Sequence, residues 1–211
     1  GSPDALAALS GHTGTERIWQ LVSELDNVVA ACRRAVTRED APTATAAAAA
    51  AWEVYAIRGP FTAGISLLEA VEGMGTLSPY ERGQIGAAHA HACLSAGRSS
   101  EALARYEAAC ALFQRLGDQG GIGRSQRGLA SALHRVGRGE EARALCEAAL
   151  AEALALDRPG EGALLARLGV LHRDQGRMGE AGACLQLALV IAREVGNRRL
   201  EGTVFVALGI L

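Results

Sequence analysis

Lysine is absent from this 211-residue chain, and all 21 of its Lys/Arg positions are arginine. Nucleotide hydrolysis by a phosphate-binding loop of the GxxxxGK[ST] type is therefore excluded, because that loop needs a lysine. Aromatic residues make up only 4% of the sequence. Together with the scarcity of β-branched residues, this excludes an all-β sandwich or barrel.

Targeting and disulfide signals are also missing. No apolar run approaches the ~18–20 residues that cross a bilayer, and no basic-then-apolar segment marks a signal peptide. A formal net charge of −2 gives no general attraction to nucleic acid or anionic membranes. The odd number of cysteines and the lack of any CxxC pair predict reduced thiols and a cytoplasmic location for Cys32, Cys93, Cys110, Cys146 and Cys184.

Small residues dominate what is present. The chain has 43 alanines and 26 glycines. Alanine has the highest helix propensity of all residues, so the composition predicts an all-α protein.

The sequence contains an internal repeat. Four segments align on a shared glycine, and the glycines are 38, 40 and 39 residues apart: Gly59, Gly97, Gly137 and Gly176. A segment with the apolar spacing of a helix precedes each glycine, and another follows it. Because glycine adopts positive φ easily and ends helices, each unit is predicted to be a helical hairpin. Stacked hairpins form an α-solenoid.

The predicted organisation has three parts. Residues 1–14 are a flexible segment that opens with Gly1–Ser2, a pair typical of tag cleavage, and 15–38 form a capping helix. Residues 39–211 form four hairpins and the first helix of a fifth unit, since Leu208–Gly209 repeats Leu168–Gly169. First helices are predicted at 78–96, 119–136 and 159–175, and second helices at 99–116, 139–156 and 178–195. We expect the array to continue beyond residue 211, or a second copy to cover its end.

The unit resembles the tetratricopeptide repeat, in which small residues of the two helices face each other. The facing pairs are Ala90 with Ala102, Ala130 with Ala142, and Gly169 with Ala181. The first unit departs from this pattern, with Trp52 at the small position. The repeat length of ~39 residues also exceeds the usual ~34, and the family's first-helix Trp and closing Pro are absent. The resemblance implies a right-handed superhelix of antiparallel helix pairs.

Long units with Leu-Gly-Asp linkers resemble those of bacterial signal-transduction ATPases and multidomain transcriptional regulators. The phrases that carry this resemblance are Glu24–Ala31, Arg58–Gly59, Leu67–Ala70 and Leu116–Asp118. It implies a partner-binding or sensing array and no catalytic residues.

The concave surface is the predicted binding site. In such arrays the first helices line it, and residues three or four apart on their free face meet the ligand. The positions that carry polar or charged groups are Glu53, Gln84, His91, Arg124, Arg127, His134 and Arg173. The basic middle of this set predicts recognition of a carboxylate or acidic peptide. The alternative is that Arg124 and Arg127 are solvated or paired with neighbouring carboxylates.

Other chemistry is not indicated. His89 and His91 are two apart on a helix and point in different directions, so no metal site is predicted. Gly120–Gly123 is interpreted as an interrepeat turn, because no strand precedes it and Gln126 replaces the third glycine of a dinucleotide loop. No nucleophile–base pattern is found, so we expect neither a cofactor nor enzymatic activity.

The leading hypothesis is a non-catalytic interaction or sensor domain of a larger bacterial regulatory protein, active in signal transduction or transcription regulation, that binds a protein segment in its groove. The alternative is an array that senses a small anionic metabolite and acts on an ATPase or DNA-binding domain. A third hypothesis is self-association through the unfinished C-terminal unit.

Overall fold

The computed structural model describes residues 14–153 and 158–209. Within these ranges the chain forms eleven α-helices and no strand, which confirms the all-α prediction. The predicted segment 1–14 lies outside them except for its last residue. The helices are α1 Gly14–Ser23, α2 Leu25–Thr37, α3 Ala41–Arg58, α4 Phe61–Glu72, α5 Pro79–Ser95, α6 Ser99–Leu116, α7 Gln119–Arg135, α8 Gly139–Ala153, α9 Arg158–Asp174, α10 Met178–Glu194 and α11 Arg198–Leu208.

The repeat glycines end the first helices of the units, as their spacing predicts. All four have positive φ, between 65° and 84°, and each lies where the first helix of its unit has ended: Gly59, Gly97, Gly137 and Gly176. Helix starts also follow local rules. Ser78 and Glu81 form a reciprocal capping box at α5, in which each side chain accepts from the other residue's backbone N–H. The bounds of the first and second helices of the units agree with the predicted ones to within one residue wherever both ends are described.

The N-terminal region differs from the single predicted helix over 15–38, because α1 and α2 are separated at Glu24. The break is local. The hydrogen bonds from Glu24 N to Gln20 O and from Val28 N to Glu24 O still have helical spacing. At the break the Ser23 hydroxyl donates to the Gln20 carbonyl, a side-chain bond that competes with the helical ladder.

The first helices form the inner layer of the array. Helices α3, α5, α7, α9 and α11 each contact the next one in this series, whereas no contact of comparable extent joins the second helices in the described ranges. Closer spacing on one side makes that side concave. The first helices therefore line the concave face, as in the solenoids that the sequence resembles.

In the first unit the large and the small residue at the close helix contact have changed places. Trp52 occupies the position where a small residue is usual, and the small residue is supplied by Gly64 of the facing helix instead. A Cβ at Gly64 would lie 2.8 Å from Cε3 of the indole. Trp52 is 3% exposed, so this unit buries a large ring without separating its helices.

The glycines of the other units also make room for large side chains. The ring of Phe113 on α6 packs against Gly83 of α5 and Gly121 of α7. This corrects the interpretation of Gly120–Gly123 as a turn, since the segment lies in the first turns of α7. Gly121 is there because the Phe113 ring fills the space that a side chain would need.

No helix in the described part of the chain is both long enough and apolar enough to cross a membrane.

Candidate functional site

His91 on the concave face is held as a neutral acceptor. The indole Nε1 of Trp52 donates to Nδ1 of His91 over 3.0 Å, and the two rings meet edge to face. Burial lowers the pKa of His91 to about 4, and the nearby charge of Arg199 acts in the same direction. His91 therefore contributes no positive charge to the groove at neutral pH.

Glu53 lies beside His91 and is paired across the array. Its Oε2 is 3.5 Å from Nη1 of Arg199, which belongs to the first turn of α11. Burial raises the pKa of Glu53, while Arg199 favours its ionised form. The array thus curves far enough for Arg199 of α11, the last described helix, to contact Glu53 of α3.

His134 and Arg173 share a single carboxylate. Nε2 of His134 is 2.8 Å from Oδ2 of Asp174, and the Arg173 guanidinium donates to Oδ1 of the same residue over 3.2 Å. Arg173 also donates to the carbonyl of Ala207 on α11. The polar groups of these two predicted groove residues are therefore engaged by other residues of the array.

Arg124, Arg127 and Gln84 remain on the groove side of α7 and α5. Arg124 is 53% exposed and its nearest carboxylate oxygen, on Asp118, is 3.9 Å away, which makes a weak pair. Arg127 is half-buried and extends back over Gly123 on its own helix. Gln84 is half-buried on α5.

Arg167 on α9 is a half-buried arginine outside the predicted set, and it lies close to Cys146 of α8, Arg135 of α7 and Tyr106 of α6. It makes no hydrogen bond or ion pair with any residue of the described ranges, although it is half-buried. Burial lowers its pKa, and the charge of Arg135 on α7 lowers it further. Spacing offered a signal: the rule that places Arg173 on the groove face of α9 also places Ala163 and Val170 there, and Arg167 is four residues after Ala163 and three before Val170.

The seven predicted residues thus form separate groups. Glu53 and His91 lie with Arg199, and His134 and Arg173 lie around Asp174. Within the described residues, Arg135 and Arg167 have no carboxylate partner, and Arg124 has only its weak pair with Asp118.

Residues 164–199, which span most of α9, all of α10 and the start of α11, match the family model of the tetratricopeptide repeat. No curated protein sequence matches the chain significantly.

Solved structures of similar fold support the helical-repeat architecture. BtubC from P. vanneervenii is 18% identical, with a TM-score of 0.68 over 91% of this chain and 84% of that one. A putative kinesin light chain of Podosopora anserina with TPR-like repeats is 22% identical, with a TM-score of 0.65 over 90% and 92%. Aspartyl phosphate phosphatase F of Bacillus subtilis is 10% identical, with a TM-score of 0.63 over 93% of this chain and 58% of that protein. The chain is therefore a solenoid of tetratricopeptide-like helix pairs.

The Trp52–His91 pair predicts a specific pH dependence. The pKa of His91 is about 4 in the folded protein, against 6.5 for an ordinary histidine, so the unfolded chain binds this proton first. The stability that depends on neutral His91 is fully present above pH 6.5 and is lost as the pH falls towards 4. We expect urea unfolding of His91→Gln, whose amide oxygen still accepts from Trp52, to show a smaller decrease over this range.

Glu53 and all other titrating groups are present in both proteins, so the difference between the two pH profiles isolates His91. Equal slopes between pH 6.5 and pH 4 would show that His91 does not titrate in the way the buried pair requires.

Proposed function

We propose that the chain is a non-catalytic interaction module whose concave groove binds an acidic segment of a partner protein. The observation that carries this proposal is Arg167, a half-buried guanidinium that no carboxylate in the described ranges neutralises. A charge removed from water without a counter-charge is costly to the folded state. A ligand carboxylate would offset that cost with two parallel, charge-assisted hydrogen bonds.

The surroundings of Arg167 add to its attraction for acids. Arg135 is exposed on the neighbouring first helix, and Arg124 is exposed near the start of the same helix with only a weak pair. Ala163, one turn before Arg167 on α9, is half-buried and small enough to leave room for a bound chain. The groove is therefore positive along α7 and α9.

The opposite side of the groove is electrically balanced. Glu53 would repel an acidic ligand, but Arg199 pairs with it at 3.5 Å and neutralises it. His91 is neutral for the reasons given above. An acidic segment is thus expected to bind against α7 and α9 rather than against α3 and α5.

We further propose that this module belongs to a cytoplasmic bacterial regulator, in which it receives a partner and passes on a signal. Support for this setting comes from the resemblance of the linkers, such as Leu116–Asp118, and of the N-terminal phrase Glu24–Ala31 to those of multidomain regulators.

The test uses the purified chain and two fluorescein-labelled peptides of equal length, one rich in Glu and one with Gln at the same positions. Fluorescence anisotropy is expected to show binding of the Glu peptide only, and this binding should weaken as salt is added. Arg167→Ala is expected to raise its Kd at least tenfold, a change of about 1.4 kcal/mol. Its folding should be unimpaired, because the change removes an unpaired charge.

Arg115→Ala is the matched control, since Arg115 is an exposed arginine on the second helix α6 and the charge change is identical. Its Kd should equal that of the wild type. Equal binding of both peptides, or equal losses in the two variants, would refute the groove assignment. Binding of citrate that depends on Arg167, without binding of the Glu peptide, would refute it in favour of metabolite sensing.

A further inference from the structure

His89 is on α5, two residues before the groove residue His91, and one of its ring nitrogens lacks a hydrogen bond within the described part of the chain. Its side chain is fully buried. Nδ1 is 2.9 Å from Oε2 of Glu72. Nε2 has no hydrogen-bond partner among the residues that the structure describes, and the carboxylate oxygen of Glu69 is 4.0 Å from it. Buried polar atoms without partners are rare in folded proteins, and each one costs free energy.

Two further metal-ligating side chains lie beside His89. Cys93 is one helical turn further along α5, and Glu101 is in the first turn of α6. One ring nitrogen of His89, Sγ of Cys93 and a carboxylate oxygen of Glu101 all lie within 4.8 Å of one another. Since Nδ1 is engaged by Glu72, Nε2 is the nitrogen left to bind a ligand.

We propose that His89, Cys93 and Glu101 form a binding site for a zinc-like divalent metal ion. Imidazole, thiolate and carboxylate are the three protein ligand types of zinc, bound at about 2.0–2.3 Å in a tetrahedral arrangement. Three protein ligands leave one position for a water molecule or for the carboxylate of Glu69. The thiolate disfavours Mg²⁺ and Ca²⁺, which take oxygen ligands.

The residues around the three ligands support this assignment. A metal-bound histidine usually donates its other ring N–H to a carboxylate, and Glu72 is in that position relative to His89. Glu72 is held in turn by Arg105, which donates to both of its oxygens over 2.9 Å and to Glu101 over 3.1 Å. The ligands are thus already oriented by a second layer of contacts.

The charge balance also favours a divalent cation. Glu69, Glu72, Glu101 and a Cys93 thiolate carry four negative charges, against two positive charges on Arg98 and Arg105. A divalent ion makes this cluster neutral. Cysteine binds metal ions as the thiolate, so a bound ion takes the place of the Cys93 thiol proton.

The site has a route from solvent. His89 and Cys93 are buried, but the side chains of Glu69 and Glu101 are 51% and 32% exposed. An ion can reach the ligands past these two carboxylates.

The experiment titrates Co²⁺ into the metal-free 211-residue chain at pH 7.5 and records the absorption spectrum. We expect one Co²⁺ per chain, with a thiolate-to-cobalt charge-transfer band and visible bands of tetrahedral cobalt, both removed by one equivalent of Zn²⁺. Cys93→Ser should abolish the charge-transfer band. Glu101→Gln, a change at a partly exposed position that leaves the packing intact, should weaken Co²⁺ binding at least tenfold.

Cys146→Ser is the matched control, because Cys146 is an equally buried thiol on α8, outside the cluster. It should retain the wild-type spectrum. The proposal is overturned if the wild type develops no charge-transfer band, if the band survives in Cys93→Ser, or if Glu101→Gln binds Co²⁺ as tightly as the wild type.

Discussion

Replacing Phe113 by alanine is expected to lower the free energy of unfolding by about 3–5 kcal/mol, the range found for fully buried phenylalanines. Phe113 is 2% exposed, and its ring lies between glycines of the two neighbouring first helices, Gly83 and Gly121. The ring of Tyr80 also packs edge to face against it, with centroids 6.2 Å apart. Urea unfolding followed by circular dichroism measures the loss.

A solenoid is stabilised largely by contacts between neighbouring units, so the damage should be local. Amide hydrogen exchange is expected to accelerate in α5, α6 and α7 before it changes in α10 and α11. Leu116→Ala, on the same helix but at a 43% exposed position, serves as the control and should change stability by less than about 0.5 kcal/mol. A loss below 1 kcal/mol for Phe113→Ala would contradict the role of this ring as the link between units.

The repeat could be read from the sequence because its determinants are local. A helix that ends at a glycine with positive φ, such as Gly97 or Gly137, depends on the backbone freedom of that residue alone. Capping at Ser78 likewise needs only Glu81, three residues later. The order and bounds of the helices therefore followed from patterns within one unit.

The charge pattern of the groove could not be read in the same way. The pair Glu53–Arg199 joins the third helix to the last, and it depends on curvature accumulated over several units. Whether the imidazole of His134 is available to a ligand depends on Asp174 of the next unit, which contacts it. Spacing three or four residues apart places such residues on one face of a helix but does not identify their partners. It therefore could not show that Arg173 is bonded to Ala207, whereas Arg167 on the same helix has no hydrogen-bond or ion-pair partner among the described residues.

The cluster around His89 shows the same division. The spacing of His89 and Cys93, four residues apart on one helix, is visible in the sequence and places both on one face. Glu72 and Glu101 come from the helices before and after, and their approach depends on how α4 and α6 pack on α5. The spacing of His89 and His91, two residues apart, disfavours a shared metal ion, and in the structure His91 accepts a hydrogen bond from Trp52.

The same substitution, glycine to alanine, is expected to have opposite effects at two positions of α7. Gly121→Ala should destabilise the protein by about 1–3 kcal/mol, the usual cost of an overpacked core. The new Cβ would lie 2.5 Å from Cγ of Phe113 and 2.6 Å from Oδ2 of Asp118. The Cγ atom is at the base of the ring, so rotation of the ring cannot relieve the contact and the helices must move apart.

Gly123→Ala is two residues further on in the same helix. Outside the local helix backbone, the nearest atom to a new Cβ there is Nη1 of Arg127 at 3.6 Å, an ordinary contact with a flexible side chain. Here the higher helix propensity of alanine should dominate and stabilise the protein by about 0.5–1 kcal/mol. Urea midpoints of the two variants should therefore lie on opposite sides of the wild-type midpoint. If both variants were stabilised, the ring of Phe113 would not be seated against Gly121, and alanine's helix propensity would govern both positions.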